Sequence, residues 1–208
     1  MVERQLRARG IDDERVLAAM ATVPRELFVP EAARALAYED AALPIGAGQT
    51  ISQPYMVALI CSGLRLHGGE RVLDVGTGSG YQAAVLAEMG ADVHSIERVP
   101  ELAARAREAL AAAGDAGRVE VHLGDGTQGL PEQAPFEAIA VAAAAPGVPQ
   151  ALYDQLTEGG RLVVPVGPRR EQRLQAVVRS PAGPVALRGV PCRFVPLVGA
   201  DGFGDGDG

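Results

Sequence analysis

Val72-Leu73-Asp74-Val75-Gly76-Thr77-Gly78-Ser79-Gly80-Tyr81 decides the fold of this chain. An apolar run reads as a buried strand, and the glycines after it let the backbone turn sharply into a helix and approach a ligand. Outward from that turn, short apolar runs alternate with helical stretches, the pattern of parallel strands joined by crossover helices. The spacing predicts strands at Arg71–Gly76, Asp92–Glu97, Val119–Leu123, Phe136–Val141 and Arg161–Val166, with helices at Gly80–Met89, Pro100–Ala113 and Val148–Leu156. Two further β-like runs, Leu174–Arg179 and Arg193–Val198, flank a Pro and Gly turn at Ser180 to Pro184 and predict an antiparallel hairpin closing the sheet. The expected fold is a doubly wound, mostly parallel α/β sheet.

Ahead of this core, Gln5 to Ala21 carries apolar residues at helical spacing, with Asp12 placed as an N-cap. Pro24, Pro30, Pro44 and Gly46-Ala47-Gly48 then break the pattern and predict an irregular segment leading to Thr50-Ile51-Ser52. Ser52 followed by Pro54 has the form of an N-cap with an early proline. One domain is expected over 1–198. Within it, 1–65 is a helical extension covering the site and 66–198 the core, and the Gly- and Asp-rich tail 199–208 is expected to be mobile.

Composition narrows the chemistry. The 208 residues are 48% hydrophobic and 22% charged, ordinary globular usage that excludes disordered and fibrous chains. A net charge of −7 with no basic run argues against a nucleic-acid partner. The longest strictly apolar run, Ala138 to Ala145, falls short of the ~18 residues of a membrane helix, and the first fifteen residues are too charged for a signal peptide. A soluble, cytoplasmic monomer away from membranes is expected. Cys61 and Cys192 have apolar neighbours and no CxxC pairing, which predicts buried thiols. His67, His94 and His122 lie far apart with no shared ligand spacing, so no metal site is expected. All 19 basic residues are Arg, which removes lysine as base or Schiff-base former.

The glycine turn alone is equally a tight strand-to-helix connection without a ligand. Carboxylates add direction: Asp74 precedes the glycines, Glu97 closes the second strand where it can accept from ribose hydroxyls, and Asp125 of Gly124-Asp125-Gly126 follows the third. Three acids on one edge would repel a pyrophosphate but suit a ligand bearing a sulfonium and an ammonium, favouring S-adenosylmethionine over NAD.

At this point the Asp74–Tyr81 stretch resembles motif I of the class I methyltransferases. The chain as a whole is similar to the protein-L-isoaspartate O-methyltransferases. The most specific match is Leu43-Pro44-Ile45-Gly46-Ala47-Gly48-Gln49-Thr50-Ile51-Ser52-Gln53-Pro54-Tyr55-Met56. Others are Val23-Pro24-Arg25-Glu26-Leu27-Phe28-Val29, Gly124-Asp125-Gly126, Gly159 to Gly167 and Arg193 to Val198. Ala142 departs from the pattern, since a number of family members have Thr there.

The resemblance implies a Rossmann-like sheet, S-adenosylmethionine as cofactor with no metal, and esterification of the free carboxyl of L-isoaspartyl residues in peptides and damaged proteins. It further implies that Ser52 is the catalytic hydroxyl. Asp74, Gly76, Thr77, Gly78, Gly80, Glu97, Arg98, Asp125 and Gly126 would hold the cofactor, and Thr50, Ile51, Val195, Pro196 and Leu197 would face the substrate. The chemistry is consistent: a carboxylate of pKa near ~4 is already ionised at neutral pH, so no general base is required. What remains is desolvation and alignment. Two points stay open on the residues themselves. Ser52 is equally a helix cap, and Phe194-Val195-Pro196-Leu197, an edge strand by its proline, is either free to add a peptide strand or covered. A methyltransferase for a small acid, a non-catalytic binder of damaged protein and an NAD-dependent oxidoreductase are the rival functions.

Overall fold

The computed structural model describes residues 1–204. Seven strands form one sheet: β3 (Arg71–Val75), β4 (Asp92–Glu97), β5 (Val119–Leu123), β6 (Phe136–Val141), β7 (Leu156–Val166), β8 (Gln172–Val178) and β9 (Val185–Cys192). Their order is β5-β4-β3-β6-β7-β8-β9, parallel through β7 and antiparallel thereafter. The first helices are α1 (Glu14–Thr22) and α2 (Pro54–Leu64); α3 (Tyr81–Glu88), α4 (Pro100–Ala113) and the short α5 (Gln150–Asp154) follow, each between parallel strands. Alternation along β3 feeds two cores. Val72 packs with Leu17, Ile60, Leu86 and Leu110 from α1 to α4. Leu73 and Val75 pack with Ile139, Leu152 and Leu156 on the opposite side. The doubly wound sheet is the one expected, and four of the five parallel strands lie within a residue of their predicted ends.

The hairpin differs in its second strand. Gly183 N donates to Ser180 O at 3.0 Å, and so tight a turn lets pairing resume at once, from Val178↔Val185 to Gln172↔Cys192. The strand is therefore Val185–Cys192. The run Arg193–Val198, expected in its place, leaves the sheet and recrosses the strand ends, where Ala144 N donates to Val195 O at 2.8 Å and Leu197 N to Ala144 O at 2.7 Å. It is not an edge strand; β9 is the edge. The helix expected at Val148–Leu156 shrinks to five residues because β7 starts early, with Gly159 and Gly160 pairing with Arg179.

The N-terminal extension is less regular than its periodicity suggests. A π-turn (Val2–Leu6) and a 3₁₀ turn (Arg7–Arg9) precede α1, and its cap is Asp13, not Asp12. The Asp13 carboxylate accepts from Arg15 N at 3.0 Å and Val16 N at 3.3 Å, a register that buries Val16, Leu17 and Met20. The segment expected to be irregular contains a hairpin, β1 (Leu43–Gly46) and β2 (Gln49–Ile51), turned by Ala47 and Gly48 at φ of 49° and 70°. Two positive φ values in succession suit such a two-residue turn.

One further expectation fails, that of a loose tail, and one pair of residues meets that the sequence keeps far apart. His94 and His122, far apart in sequence, meet across the parallel β4–β5 ladder with Nδ1 and Nε2 3.1 Å apart. Residues 199–204 are held and not loose: Ala200 N donates to Asp125 Oδ2 at 2.9 Å, and Phe203 N to Leu197 O at 2.8 Å. The rest of the expected mobile tail, 205–208, lies outside the described residues. No helix of the described residues is long and apolar enough to cross a membrane.

Candidate active site

Strand order reverses between β3 and β6, the place where open α/β sheets bind ligands beyond their carboxyl ends. A cavity opens there, about 910 Å³ with the solvent of its mouth included. The β3–α3 glycine turn forms its floor, the β1–β2 hairpin and the start of α2 one wall, and the recrossing segment 195–198 the other. Thr50, Ile51, Ser52, Gly76, Thr77, Gly78, Glu97, Arg98, Gly126, Val195, Pro196 and Leu197 all line it. Twelve of the fifteen residues expected at the site thus converge. The other three are Asp74, Gly80 and Asp125.

Glu97 is the organising acid. It ends β4, is buried, and accepts from Gly78 N at 2.8 Å through one oxygen and from Val99 N at 2.9 Å through the other. The glycine turn is therefore strapped to β4, and each carboxylate oxygen keeps a further lone pair for a ligand. Gly126 is needed for space: a Cβ there would stand 2.7 Å from Val75 Cγ1. Gly80 has a different duty from the one expected. At φ +90° it begins α3 with Leu110 and Ala106 of α4 within 3.4 Å of where a Cβ would sit, so it serves helix packing and not the cavity.

The expected trio of converging carboxylates reduces to one. Asp74 is fully buried behind the glycine turn, accepting from Ser95 Oγ and Gln82 Nε2, both at 2.7 Å. Ser95 in turn shares a 2.6 Å hydrogen bond with the Thr77 hydroxyl, so Asp74 acts on the cavity through Thr77 and Gln82. Asp125 caps its own turn at Thr127 N and holds Ala200 N. Its hydrogen bonds to Ala200 and Thr127 keep its carboxyl below its ordinary value against the opposing cost of burial.

Burial pushes the Asp74 carboxyl up to about 6, opposed by its bonds from Ser95 and Gln82. The sign follows from linkage. Between the unfolded value of 3.8 and about 6 the native state holds the extra proton, so stability falls as pH rises through that window. Above it the ionised group costs the fold on the order of 3 kcal/mol. Asp74→Asn removes this slope. The melting temperature of the variant relative to the parent is expected to rise steadily from pH 4 to pH 7, measured calorimetrically without cofactor, whereas a constant offset would refute the assignment.

Ser52 sits at the mouth beside Ile51. The cap of α2 is Gln53, with Pro54 in the first turn and no side-chain cap bond, so the capping role expected as one alternative for Ser52 is absent. Beneath it lies a residue that the sequence reading passed over. Arg25, fully buried, donates from Nε to Ala37 O and from Nη2 to Ser52 O, each at 2.7 Å, and stacks 4.6 Å above the Tyr81 ring. Its signal was the Val23–Val29 match, where Arg25 and Glu26 interrupt an otherwise apolar stretch. Tyr81, Gln82, Ala142 and Ala143 complete the lining.

A family model described as protein-L-isoaspartate(D-aspartate) O-methyltransferase matches residues 1–202. The chain belongs to that family. The protein-L-isoaspartate O-methyltransferase of Methanoculleus marisnigri is 58% identical over 98% of this chain and 92% of its own. That of Gloeobacter violaceus is 55% identical over 95% and 96%. Among solved structures, a protein-L-isoaspartate O-methyltransferase superposes with a TM-score of 0.85 at 30% identity, over 97% of this chain and 67% of that one. A Plasmodium falciparum protein assigned to the same activity, in complex with S-adenosyl-L-homocysteine, gives 0.81 at 28% identity over 95% and 96%. The doubly wound methyltransferase sheet expected from the strand pattern and the S-adenosylmethionine cofactor expected from the carboxylates and the family resemblance both hold.

Proposed function

We infer that this chain transfers a methyl group from S-adenosylmethionine to the free carboxyl of L-isoaspartyl residues in damaged proteins, with Ser52 presenting the acceptor. The observation that carries the roles is the placement of Ser52. Its hydroxyl is released from helix capping, its carbonyl is pinned by Arg25, and it lines the same cavity as Glu97 and the glycine turn. The cradle fits the cofactor, since the cavity has apolar walls at Ile96, Val195 and Leu197, a stretch of wall without a side chain at Gly126, and a single buried acid at the β4 end. Glu97 would hold the ribose hydroxyls, Gly76, Thr77, Gly78 and Arg98 the amino-acid end, and Gly126 the base. Asp74, Gly80 and Asp125 support from behind.

When bound, S-adenosylmethionine supplies an electrophilic methyl on a sulfonium that departs as a neutral thioether. The protein's part is orientation and exclusion of water. Ser52 donates to one oxygen of the acceptor carboxylate and leaves the other free to attack, while Thr50, Ile51 and Val195 to Leu197 shield it. The recrossing segment offers no edge for strand addition, because its inner side is bonded to Ala144 and Pro196 has no N–H. Peptide selection rests instead on the cavity mouth. We further assign a cytoplasmic monomer that needs neither nucleic acid nor membrane, with one domain that takes in 1–198 and the segment 199–204 bonded to it, on the net charge of −7, the single pair of cores and the bonds from Ala200 and Phe203.

A matched isoaspartyl and aspartyl peptide pair tests the function: base-labile methyl ester is expected on the isoaspartyl member alone. Equal labelling of both, or turnover only with a small acid, would reject it. For the cofactor assignment, Glu97→Gln turns an amide toward Gly78 N or Val99 N and weakens ribose binding. The KM for S-adenosylmethionine is expected to rise about 10- to 150-fold, from ~1.5–3 kcal/mol for hydrogen bonds to a charged group, with kcat at saturation little changed.

A further inference from the structure

We propose that His94, Glu120 and His122 form a binding site for a divalent transition metal on the outer β4–β5 ladder, separate from the methyl-transfer cavity. Parallel pairing sets His94 opposite Glu120 and Ile96 opposite His122, which puts the three side chains on one face of the sheet. Their donor atoms converge. His94 Nδ1 lies 3.1 Å from His122 Nε2 and 3.6 Å from a Glu120 oxygen, and His122 Nε2 lies 3.7 Å from the other Glu120 oxygen. Two nitrogens so spaced can both reach a cation at ~2.0–2.1 Å, subtending an angle of about 100°. The carboxylate closes the triangle, and solvent fills what remains of the coordination sphere.

Two imidazoles and one carboxylate select a borderline cation such as Zn²⁺, Co²⁺ or Ni²⁺ over Mg²⁺ or Ca²⁺, which prefer oxygen throughout. The site is partly preorganised. His94 is buried, its ring held edge-on by Phe136 at 6.1 Å and stacked with His122 at 5.3 Å. Glu120 is 64% exposed, so a hydrated ion has a way in. The competing explanation is a hydrogen bond between the two histidines with no ion. A bound cation would tie the outermost strand β5 to β4, the strand that carries Glu97.

Titration of chelator-stripped full-length protein with Zn²⁺ by calorimetry, and with Co²⁺ by visible absorption, tests this. One equivalent is expected, with absorption bands of a low-coordinate nitrogen- and oxygen-ligated Co²⁺ and a melting temperature that climbs with metal concentration, as binding to the native state alone requires. His122→Gln and Glu120→Gln, both at the outer strand, are expected to weaken binding by more than about tenfold while retaining isoaspartyl methylation as proof of folding. His67→Gln and Cys192→Ser are expected to bind as the parent does. No heat or absorption change up to about 1 mM metal, or unchanged affinity in both ladder variants, would overturn the site and leave the hydrogen bond as its explanation.

Discussion

Ser52→Ala is expected to lower kcat for isoaspartyl methylation by about 10- to 150-fold, the worth of one hydrogen bond to a charged acceptor at ~1.5–3 kcal/mol. The KM for S-adenosylmethionine should stay near the parent value, because the proposed bond is made to the acceptor and not to the cofactor. Loss of a helix cap would instead cost about 1 kcal/mol of stability with normal turnover in the folded fraction. That alternative is weakened on structural grounds: the cap of α2 is Gln53 and makes no side-chain bond. The anchor from Arg25 is to the Ser52 carbonyl, which alanine keeps. Melting temperature and kcat measured on one preparation separate the two. An unchanged kcat with a lowered melting temperature would remove Ser52 from the chemistry.

The parts of the fold legible in the sequence are those where one local signal suffices. β4 and β6 lie inside the parallel sheet with all but one residue of each buried, β5 at its edge alternates buried Val119 and Val121 with exposed Glu120, and the observed ends of all three match the expected ones. The parts that escaped depend on pairing. β9 contains Pro191 and Gly189, poor strand residues, yet a tight turn forces it onto β8, while the better-looking run Arg193–Val198 is drawn away to Ala144. The β1–β2 hairpin was hidden because Pro44 and Gly46 read as breakers, although they occupy an exposed ribbon where both are tolerated. Sequence distance likewise concealed the His94–His122 pair.

Within the site, motif positions were legible but their division of labour was not. Asp74 and Glu97 look equivalent as acids at strand ends. They differ because Asp74 points inward from β3 into the helix-covered core, whereas Glu97 closes β4 at the rim, where it lines the cavity. Gly78 and Gly80 differ in the same way, one under the cavity and the other under α4. Spacing fixes neither distinction; the packing of α3 and α4 does.

Arg25 has the largest expected effect on stability, and its role follows from the same packing. Burial lowers its pKa, opposed by its neighbours, Tyr81 first among them. It stays in place because two main-chain carbonyls, Ala37 and Ser52, accept from it and the Tyr81 ring lies beneath it. Arg25→Met fills much of the volume but orphans both carbonyls, at ~1–3 kcal/mol each. A fall in melting temperature of about 5–15 °C is expected for a chain of this length. Arg25→Lys keeps the charge, yet a point donor on a flexible stem cannot bridge two carbonyls 15 residues apart in sequence, since Ala37 and Ser52 approach it from different loops. The lysine variant should therefore regain part of the stability while Ser52 remains loosely held, so kcat for the isoaspartyl peptide falls more than the KM for the cofactor rises. A purely structural arginine predicts the reverse, with kcat of the folded fraction restored as stability returns, and comparison of the two variants below their melting temperatures decides between positioning and support.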